Sequence, residues 1–211
     1  RWVKTGWIEE AILDVSERLF SEKGFEGTSV RLIASEAGVN VAMISYYFGS
    51  KEKLFESLVE RKVLLMRERL ENLSLEIADP LERMLAIADL YLGKMIAQRP
   101  FHRIVFRELT LQQRGDAHEK IAESIYGNAR MVMDTLREGI HTGRFRQVDV
   151  EVTFLNFIGM LQFIVNGSQP LIERIVGATF SDSEDALTVL RERLRAHLHD
   201  FIRHYLLPEK E

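Results

Sequence analysis

The sequence contains no cysteine and only four prolines. The lack of cysteine excludes disulfides, thiolate metal ligands and cysteine nucleophiles. No apolar run approaches the ~18 residues that span a bilayer, and no basic start followed by an apolar segment indicates a secretory signal. We therefore expect a cytoplasmic protein without a membrane partner. Because the chain starts at Arg1 rather than at a methionine, we also expect that residues precede it in the native protein.

Basic residues are also slightly fewer than acidic ones. The chain has 28 lysines and arginines against 32 acidic residues, for a net charge of −4 and a pI near 5.9. A protein that coats nucleic acid non-specifically needs many cations to neutralise phosphates, so the net charge argues against this class. A local basic site, or one that uses helix dipoles, is compatible with the charge. The 46% hydrophobic and 28% charged residues are typical of a globular protein.

What the sequence does contain is helical periodicity along its whole length. Apolar residues recur at spacings of three and four, separated by capping residues and glycines, which predicts an all-α protein of nine or ten helices. Three short helices precede a long fourth one. We predict helices at 8–23, 30–37, 41–48, 50–73, 80–98, 101–111, 117–141, 150–166 and 183–206, with a further short helix after Pro170.

The second and third helices carry the pattern of two helices that cross steeply through a tight turn. A small residue at Ala34 permits close approach, and Gly38 suits the positive φ of such a turn. Val39 and Ile44 would fill the angle between the helices. The pattern predicts a helix-turn-helix, and it rests on six positions: Ile33, Ala34, Ala37, Gly38, Val39 and Ile44.

The segment AGVNVAMISYYFGSKEKLF, residues 37–55, contains two adjacent tyrosines. On a helical projection Ile44 and Phe48 face the core, which puts Ala42 and Tyr46 on the opposite side. Small residues beside an exposed tyrosine suit a recognition helix in a major groove. Tyr47 lies at the rim, where its hydroxyl could reach a phosphate. The alternative interpretation is that both tyrosines cover a surface cluster over the first or fourth helix.

The segment FSEKGFEGTSVRLIASEAGVNVAMISYYFGSKEKLFESLV, residues 20–59, resembles the N-terminal DNA-binding domain of TetR/AcrR-type transcriptional regulators. The resemblance implies a helix-turn-helix DNA-binding domain at 1–50. Ser45 stands where a tyrosine is common in that family. We group Thr28, a candidate helix cap, with the positions that the resemblance assigns to DNA contact, which are Ser29, Arg31, Val41, Ala42, Met43, Ser45, Tyr46, Tyr47 and Lys51.

Elementary electrostatics supports two of these positions. Arg31 and Lys51 lie at predicted helix N-termini, where free N–H groups and the helix dipole favour an anion. No charged residue occurs between Asn40 and Ser50. We therefore expect a modest dependence of DNA affinity on salt, and a slope of log K against log salt near about −9 would contradict this.

The resemblance further implies that residues 51–211 form a helical ligand-binding and dimerisation domain, with the fourth helix as the connector. Collectively, methionine and aromatic side chains give an adaptable lining for a mainly apolar ligand, whereas any one of them taken alone is better explained as ordinary core. The last two long helices are candidates for the homodimer interface. The residues predicted for the pocket are Tyr91, Met95, His102, Phe106, Met131 and Phe157.

Together these features predict a repressor that an apolar or aromatic small molecule releases from a palindromic double-stranded DNA operator. No cofactor, metal or catalytic residue is predicted. His197, Asp200 and His204 share a helix face, but histidines near a helix C-terminus are favoured by the dipole alone. Two other classes of protein stay open: a helical-bundle enzyme, and a scaffold that uses its helix-turn-helix to bind proteins.

Overall fold

The computed structural model describes residues 3–110, 115–177 and 184–209. Within these ranges it contains ten α-helices and no strand, which confirms the all-α prediction. The helices are α1 (Val3–Lys23), α2 (Val30–Glu36), α3 (Val41–Phe48), α4 (Lys51–Glu76), α5 (Pro80–Ala97), α6 (Arg99–Thr110), α7 (Gly115–His141), α8 (Val150–Asn166), α9 (Gln169–Val176) and α10 (Glu184–Leu206).

The observed helix bounds differ little from the predicted ones. The predictions for α3 and α8 match residue for residue. Helix α1 begins at Val3, five residues before its first periodic apolar position. Helix α6 begins at Arg99 rather than at residue 101 and so includes Pro100 in its first turn. Proline is tolerated there because the N–H groups of the first turn have no intrahelical acceptor, so the missing N–H costs no hydrogen bond. Residues 111 and 183, two predicted helix ends, lie outside the described ranges.

Packing divides the chain into two compact units, Arg1–Met66 with Pro100–Tyr126 and Arg67–Arg99 with Gly127–Glu211. The division falls within α4, after the first residue of α6, and within α7. The boundary predicted after residue 50 concerns something different, namely which residues serve DNA binding and which serve ligand binding. It stays a prediction.

The first unit is built around a cluster of three phenylalanines. The ring centroids of Phe20, Phe25 and Phe55 lie between 5.3 and 5.6 Å apart, one pair stacked and two edge to face. Such aromatic pairs stabilise by about 0.5–1.5 kcal/mol beyond the area they bury. The cluster brings together α1, the connection that follows it, and α4.

A charged network joins α1 to α4 at the edge of this core. Arg61 donates to Glu10 and Asp14 at 2.8 Å and to Glu17 at 3.4 Å. Lys62 forms a second ion pair with Glu17 at 2.6 Å. Three acidic residues of α1 thus meet two adjacent cations of α4, so the contact extends over about two turns of α1.

In the second unit α5 packs against α8 and α10. Asp79 caps the N-terminus of α5, accepting hydrogen bonds from the amides of Leu81 at 2.9 Å and Glu82 at 3.0 Å. Arg83 is buried and pairs with Glu138 on α7 while donating to the carbonyl oxygen of Ile77 at 2.8 Å. The buried guanidinium thus has defined partners, as such groups require.

The helices of the described ranges are too short or too polar to match the thickness of a bilayer. No single helix there is long and apolar enough to cross a membrane. Among the described residues, one pair of helical segments, Val150–Asn166 and Pro170–Val176, together reaches the necessary length and composition, and it is bent by 118° at the break between them.

Candidate nucleic-acid interface

Two capped helices and a glycine turn form the helix-turn-helix. The Ser29 hydroxyl accepts from the amide of Leu32 at 3.2 Å and caps α2, and the side chain of Asn40 accepts from the amide of Ala42 at 2.9 Å and caps α3. Between the helices Gly38 adopts a φ of 65°, a value that side chains disfavour. The predicted turn chemistry is therefore present.

Helix α3 is anchored from one side only. Ile44 and Phe48 are buried, at 1% and 6% exposure, whereas Tyr46 is 81% exposed. Ala42 and Ser45 are exposed and Val41 is 37% exposed, while Met43 is half-buried. The predicted projection of this helix is confirmed, and it leaves a surface of small and apolar groups around one tyrosine.

The two tyrosines of α3 form an edge-to-face pair. Their ring centroids are 5.1 Å apart with an interplanar angle of 83°. Tyr47 is half-buried and packs against the core cluster of the first unit, so this packing restricts the orientation of its ring. Tyr46 therefore projects outward beside an ordered aromatic neighbour.

Arg31 lies on the exposed surface in the first turn of α2. Its guanidinium has no hydrogen bond or ion pair within the part of the chain that the structure describes. A cation at a helix N-terminus is not stabilised by the helix dipole. An anion placed there would meet both the guanidinium and the free N–H groups of the helix, which is compatible with the predicted phosphate contact.

Two predicted contact residues, Thr28 and Lys51, have side chains that hydrogen-bond to backbone carbonyl oxygens of the chain itself. Thr28 is buried, and its hydroxyl lies within hydrogen-bond distance of the carbonyl oxygens of Leu19, at 3.1 Å, and Gly24, at 2.8 Å. Its side chain organises the connection between α1 and α2, and we leave it out of the proposed contact surface. Lys51 is half-buried and donates to the carbonyl oxygen of Phe25 at 3.0 Å.

The residues predicted for a ligand pocket fall in both units. Tyr91, Met95, Met131 and Phe157 belong to the second unit. The rings of Tyr91 and Phe157 meet edge to face at 5.9 Å, and Met95 is buried. Burial raises the pKa of Tyr91 to about 12, so its hydroxyl stays protonated at neutral pH.

A small apolar cavity lies between α5, α7, α8 and α10, with a volume of about 20 Å³. Its walls include Met84, Leu136, Phe157 and Ile202, and Phe157 is the one predicted pocket residue among its lining. A space of this size holds about one water molecule, far below the ~300 Å³ of a typical ligand pocket. This cavity would have to widen before it could accept an effector.

His102 and Phe106, the other two predicted pocket residues, belong to the first unit. Phe106 is 42% exposed. The Nε2 atom of His102 is buried and has no hydrogen-bond partner in the described residues. Burial and, to a smaller extent, the positive charge of Lys62 lower the pKa of His102 to about 4. The imidazole is therefore neutral at physiological pH.

Sequence reasoning missed the partner of Lys51. Phe25 supplies both a backbone acceptor and a ring whose centroid is 4.2 Å from the Lys51 ammonium. The two residues are 26 positions apart, so no local pattern could connect them.

For metal binding, the described ranges contain no group of three or more histidine or acidic side chains arranged to hold an ion.

Comparison with known proteins agrees with this geometry. Residues 12–58 match the family described as bacterial regulatory proteins of the tetR family, and residues 78–166 match the tetracyclin repressor-like C-terminal domain. The chain belongs to the TetR family. The family consists of regulatory proteins, which argues against a helical-bundle enzyme.

One relative of this TetR-family chain is the probable HTH-type transcriptional regulator YttP of Bacillus subtilis, 38% identical over 105 residues. That match covers 49% of the chain, and the chain spans about half, 51%, of the relative's length.

Two solved structures extend the likeness to the whole fold. The TetR-family regulator PfmR of Thermus thermophilus is 25% identical with a TM-score of 0.70, covering 93% of this chain and 99% of that one. The regulator FadR of Bacillus subtilis, solved in complex with stearoyl-CoA, is 23% identical with a TM-score of 0.72, covering 90% and 96%.

Proposed function

We propose that this TetR-family chain is a cytoplasmic, ligand-responsive repressor that binds a palindromic DNA operator as a homodimer. The observation that carries the proposal is the geometry of α3, in which buried Ile44 and Phe48 hold an uncharged outer face around Tyr46. A helix that enters a major groove needs close approach and a few groups for base edges. The outer face of α3 has both properties.

The contacts divide into two classes. On α3, Val41, Ala42, Met43, Ser45 and Tyr46 would meet base edges, with apolar groups suited to thymine methyls. Ser29, Arg31 and Tyr47 would meet the phosphate backbone and set the position of the helix. Since few of these groups carry charge, affinity should depend only modestly on salt, and a log–log slope near about −9 contradicts the proposal.

The effector is proposed to be a mainly apolar small molecule that binds the second unit near Tyr91 and Phe157. FadR of Bacillus subtilis was solved with stearoyl-CoA, which supports an effector with a long apolar portion. Since the cavity beside Phe157 is small, binding would require a conformation in which it is wider. A ligand shifts DNA binding only if it prefers one of two conformations, typically by ~1–3 kcal/mol.

The homodimer is proposed to form through exposed apolar side chains of α8 and α10. On α8, Leu155 is 63% and Phe163 55% exposed, and on α10 Val189 is 69% exposed. Two leucines of α10, Leu190 and Leu198, are buried within the chain and are therefore not available to a partner. A two-fold dimer would place two copies of α3 in successive major grooves of a palindrome.

Selection of bound duplexes from a random DNA library at moderate salt tests the proposal. The wild-type chain is compared with Tyr46→Ala and with Tyr126→Ala, a matched control because Tyr126 is a half-exposed tyrosine on α7. Enrichment of a palindrome by the wild type and the control, but not by Tyr46→Ala, supports the proposal. If the wild type enriches no sequence, the helix-turn-helix serves protein interaction instead.

A further inference from the structure

Lys51 is the first residue of α4, but its ammonium group contacts the connection between α1 and α2. The Nζ atom donates to the Phe25 carbonyl oxygen at 3.0 Å and lies 4.2 Å from the centroid of the Phe25 ring. This ammonium group is half-buried and has lost part of its hydration. The backbone acceptor and the aromatic face supply two stabilising interactions in place of that water.

The acceptor of this bond belongs to a well-anchored connection. Phe25 is 4% exposed, and its ring packs against Phe20 and Phe55. Three residues later, buried Thr28 is hydrogen-bonded within the same connection, and Ser29 then caps α2. A contact at Phe25 therefore acts on the segment that leads directly into the helix-turn-helix.

The donor lies on the opposite flank of the same motif. Helix α3 ends at Phe48, Gly49 turns with a φ of 81°, and Ser50 caps α4 through the amide of Lys53 at 3.2 Å. Lys51 follows immediately. Its side chain thus joins the segment that enters the helix-turn-helix to the segment that leaves it, across 26 residues.

We propose that Lys51 is a positioning residue, which sets the orientation of α3 by holding the α1–α2 connection against the start of α4. This replaces the expectation that Lys51 acts as a phosphate ligand, and it rests on the proposed DNA-binding function. A phosphate ligand and a positioning residue differ in a measurable way. Loss of one phosphate contact reduces the slope of log K against log salt by about 0.9, whereas loss of a positioning contact leaves the slope unchanged.

The test compares Lys51→Met with Lys53→Met in the full chain. Methionine keeps an unbranched apolar side chain but removes the charge and the donor. Lys53 is a matched control, since it is an exposed lysine in the first turn of the same helix. Measured quantities are affinity for the selected operator and for unrelated DNA across a salt series, and amide hydrogen exchange at residues 24–29 in the free protein.

For Lys51→Met we expect about tenfold weaker operator binding, a smaller loss on unrelated DNA, an unchanged salt slope and faster exchange at residues 24–29. Lys53→Met should leave the exchange unchanged. The proposal is overturned if Lys51→Met lowers the slope by about 0.9, or if exchange at residues 24–29 is unaffected. Failure of the DNA-binding function itself is seen separately, as the absence of any duplex selected by the wild-type chain.

Discussion

Tyr46 and Tyr47 are adjacent in the chain but have different surroundings. Tyr46 is 81% exposed, whereas Tyr47 packs on the core cluster and meets the Tyr46 ring edge to face at 5.1 Å. An exposed ring beside a fixed ring has fewer orientations open to it than an isolated surface tyrosine. Less side-chain entropy is then lost when Tyr46 becomes ordered on a ligand.

Replacement of Tyr46 by alanine should weaken specific binding more than non-specific binding. If Tyr46 meets a base edge, its loss costs ~1–3 kcal/mol at the operator and little on unrelated DNA. Dissociation constants for both kinds of duplex, measured at one salt concentration, give the two losses. Equal losses would assign Tyr46 to phosphate contact, and Tyr126→Ala should alter neither constant.

His102 should make stability depend on pH in the mildly acidic range. Its folded-state pKa is lowered from 6.5 to about 4, chiefly by burial, so the unfolded chain binds the proton more strongly. This contribution to stability is full above about pH 6.5 and is lost as pH falls from there towards 4, by on the order of 3 kcal/mol.

Urea denaturation of the wild type and of His102→Gln at pH 7 and pH 5 measures the effect. Glutamine keeps a polar side chain but cannot titrate, so the difference in unfolding free energy between the two pH values should be smaller in the variant. An identical difference in both proteins would show that His102 is not the responsible group.

Individual side chains were the hardest level to predict. Thr28 and Ser29 are adjacent and chemically similar, and both suit a helix cap, yet Ser29 caps α2 while Thr28 is buried against Leu19 and Gly24. Their different roles depend on the path of the connection in space. That path is set by the phenylalanine cluster, and adjacent positions in a sequence do not encode it.

At the scale of elements, side-chain caps fix several helix starts. Asp79, Asp149, Asn40 and Ser29 each accept a hydrogen bond from an amide in the first turn of the helix that follows. Capping residues satisfy amides that the helix itself leaves free. This is why the predicted starts of α2, α3, α5 and α8 agree with the structure.

Asp79→Ala should destabilise the second unit by about 1 kcal/mol, because α5 would lose its N-cap. The amide of Glu82 is the main cause that lowers the pKa of Asp79, and Arg144, at 2.8 Å, also contributes. Asp79→Asn, which keeps an acceptor oxygen but loses the charge, should cost less.

The sign of the pH effect follows from the lowered pKa. Asp79 stabilises the folded state above its unfolded pKa of about 4, and this stability is lost as pH falls through the lower folded value. Chemical denaturation at pH 7 and pH 3 measures both effects, with Asp134→Ala on α7 as the exposed control. A cost as large for Asp134→Ala as for Asp79→Ala would contradict the capping role.

Element type and extent were predictable where the signal is local. Caps, glycines and a period of 3.6 residues lie within a few positions of each helix end, which explains the agreement for α3 and α8. Helix α1 was predicted too short because its first turn lacks that apolar period. The contact between Arg83 and Glu138 spans 55 residues in sequence, and nothing local indicates it.

At the scale of the whole molecule, apolar side chains remain uncovered on α8. The inward face of this helix buries Thr153, Phe157 and Leu161, while Leu155 and Phe163 are exposed. Large apolar side chains exposed together mark interaction surfaces more often than isolated ones do. The proposed homodimer would cover them.

Leu155→Glu should therefore shift the protein towards monomer. A carboxylate buried in an apolar interface without a partner costs several kcal/mol, so the dimer dissociation constant should rise at least about tenfold. Sedimentation over a concentration series measures it. Leu75→Glu, an 86% exposed leucine on α4, is the control and should leave the association unchanged; an equal shift in both variants would argue against an interface on α8.

The exposure of Tyr46 also makes this residue a site for selective chemical labelling. Tyr46 is the most exposed of the five tyrosines, and Tyr91, with its pKa raised to about 12, resists reagents that attack phenolate. Mild nitration or iodination should therefore modify Tyr46 first. Because bound DNA would cover this ring, the rate of labelling at Tyr46 would serve as a probe of operator occupancy that needs no tag on protein or DNA.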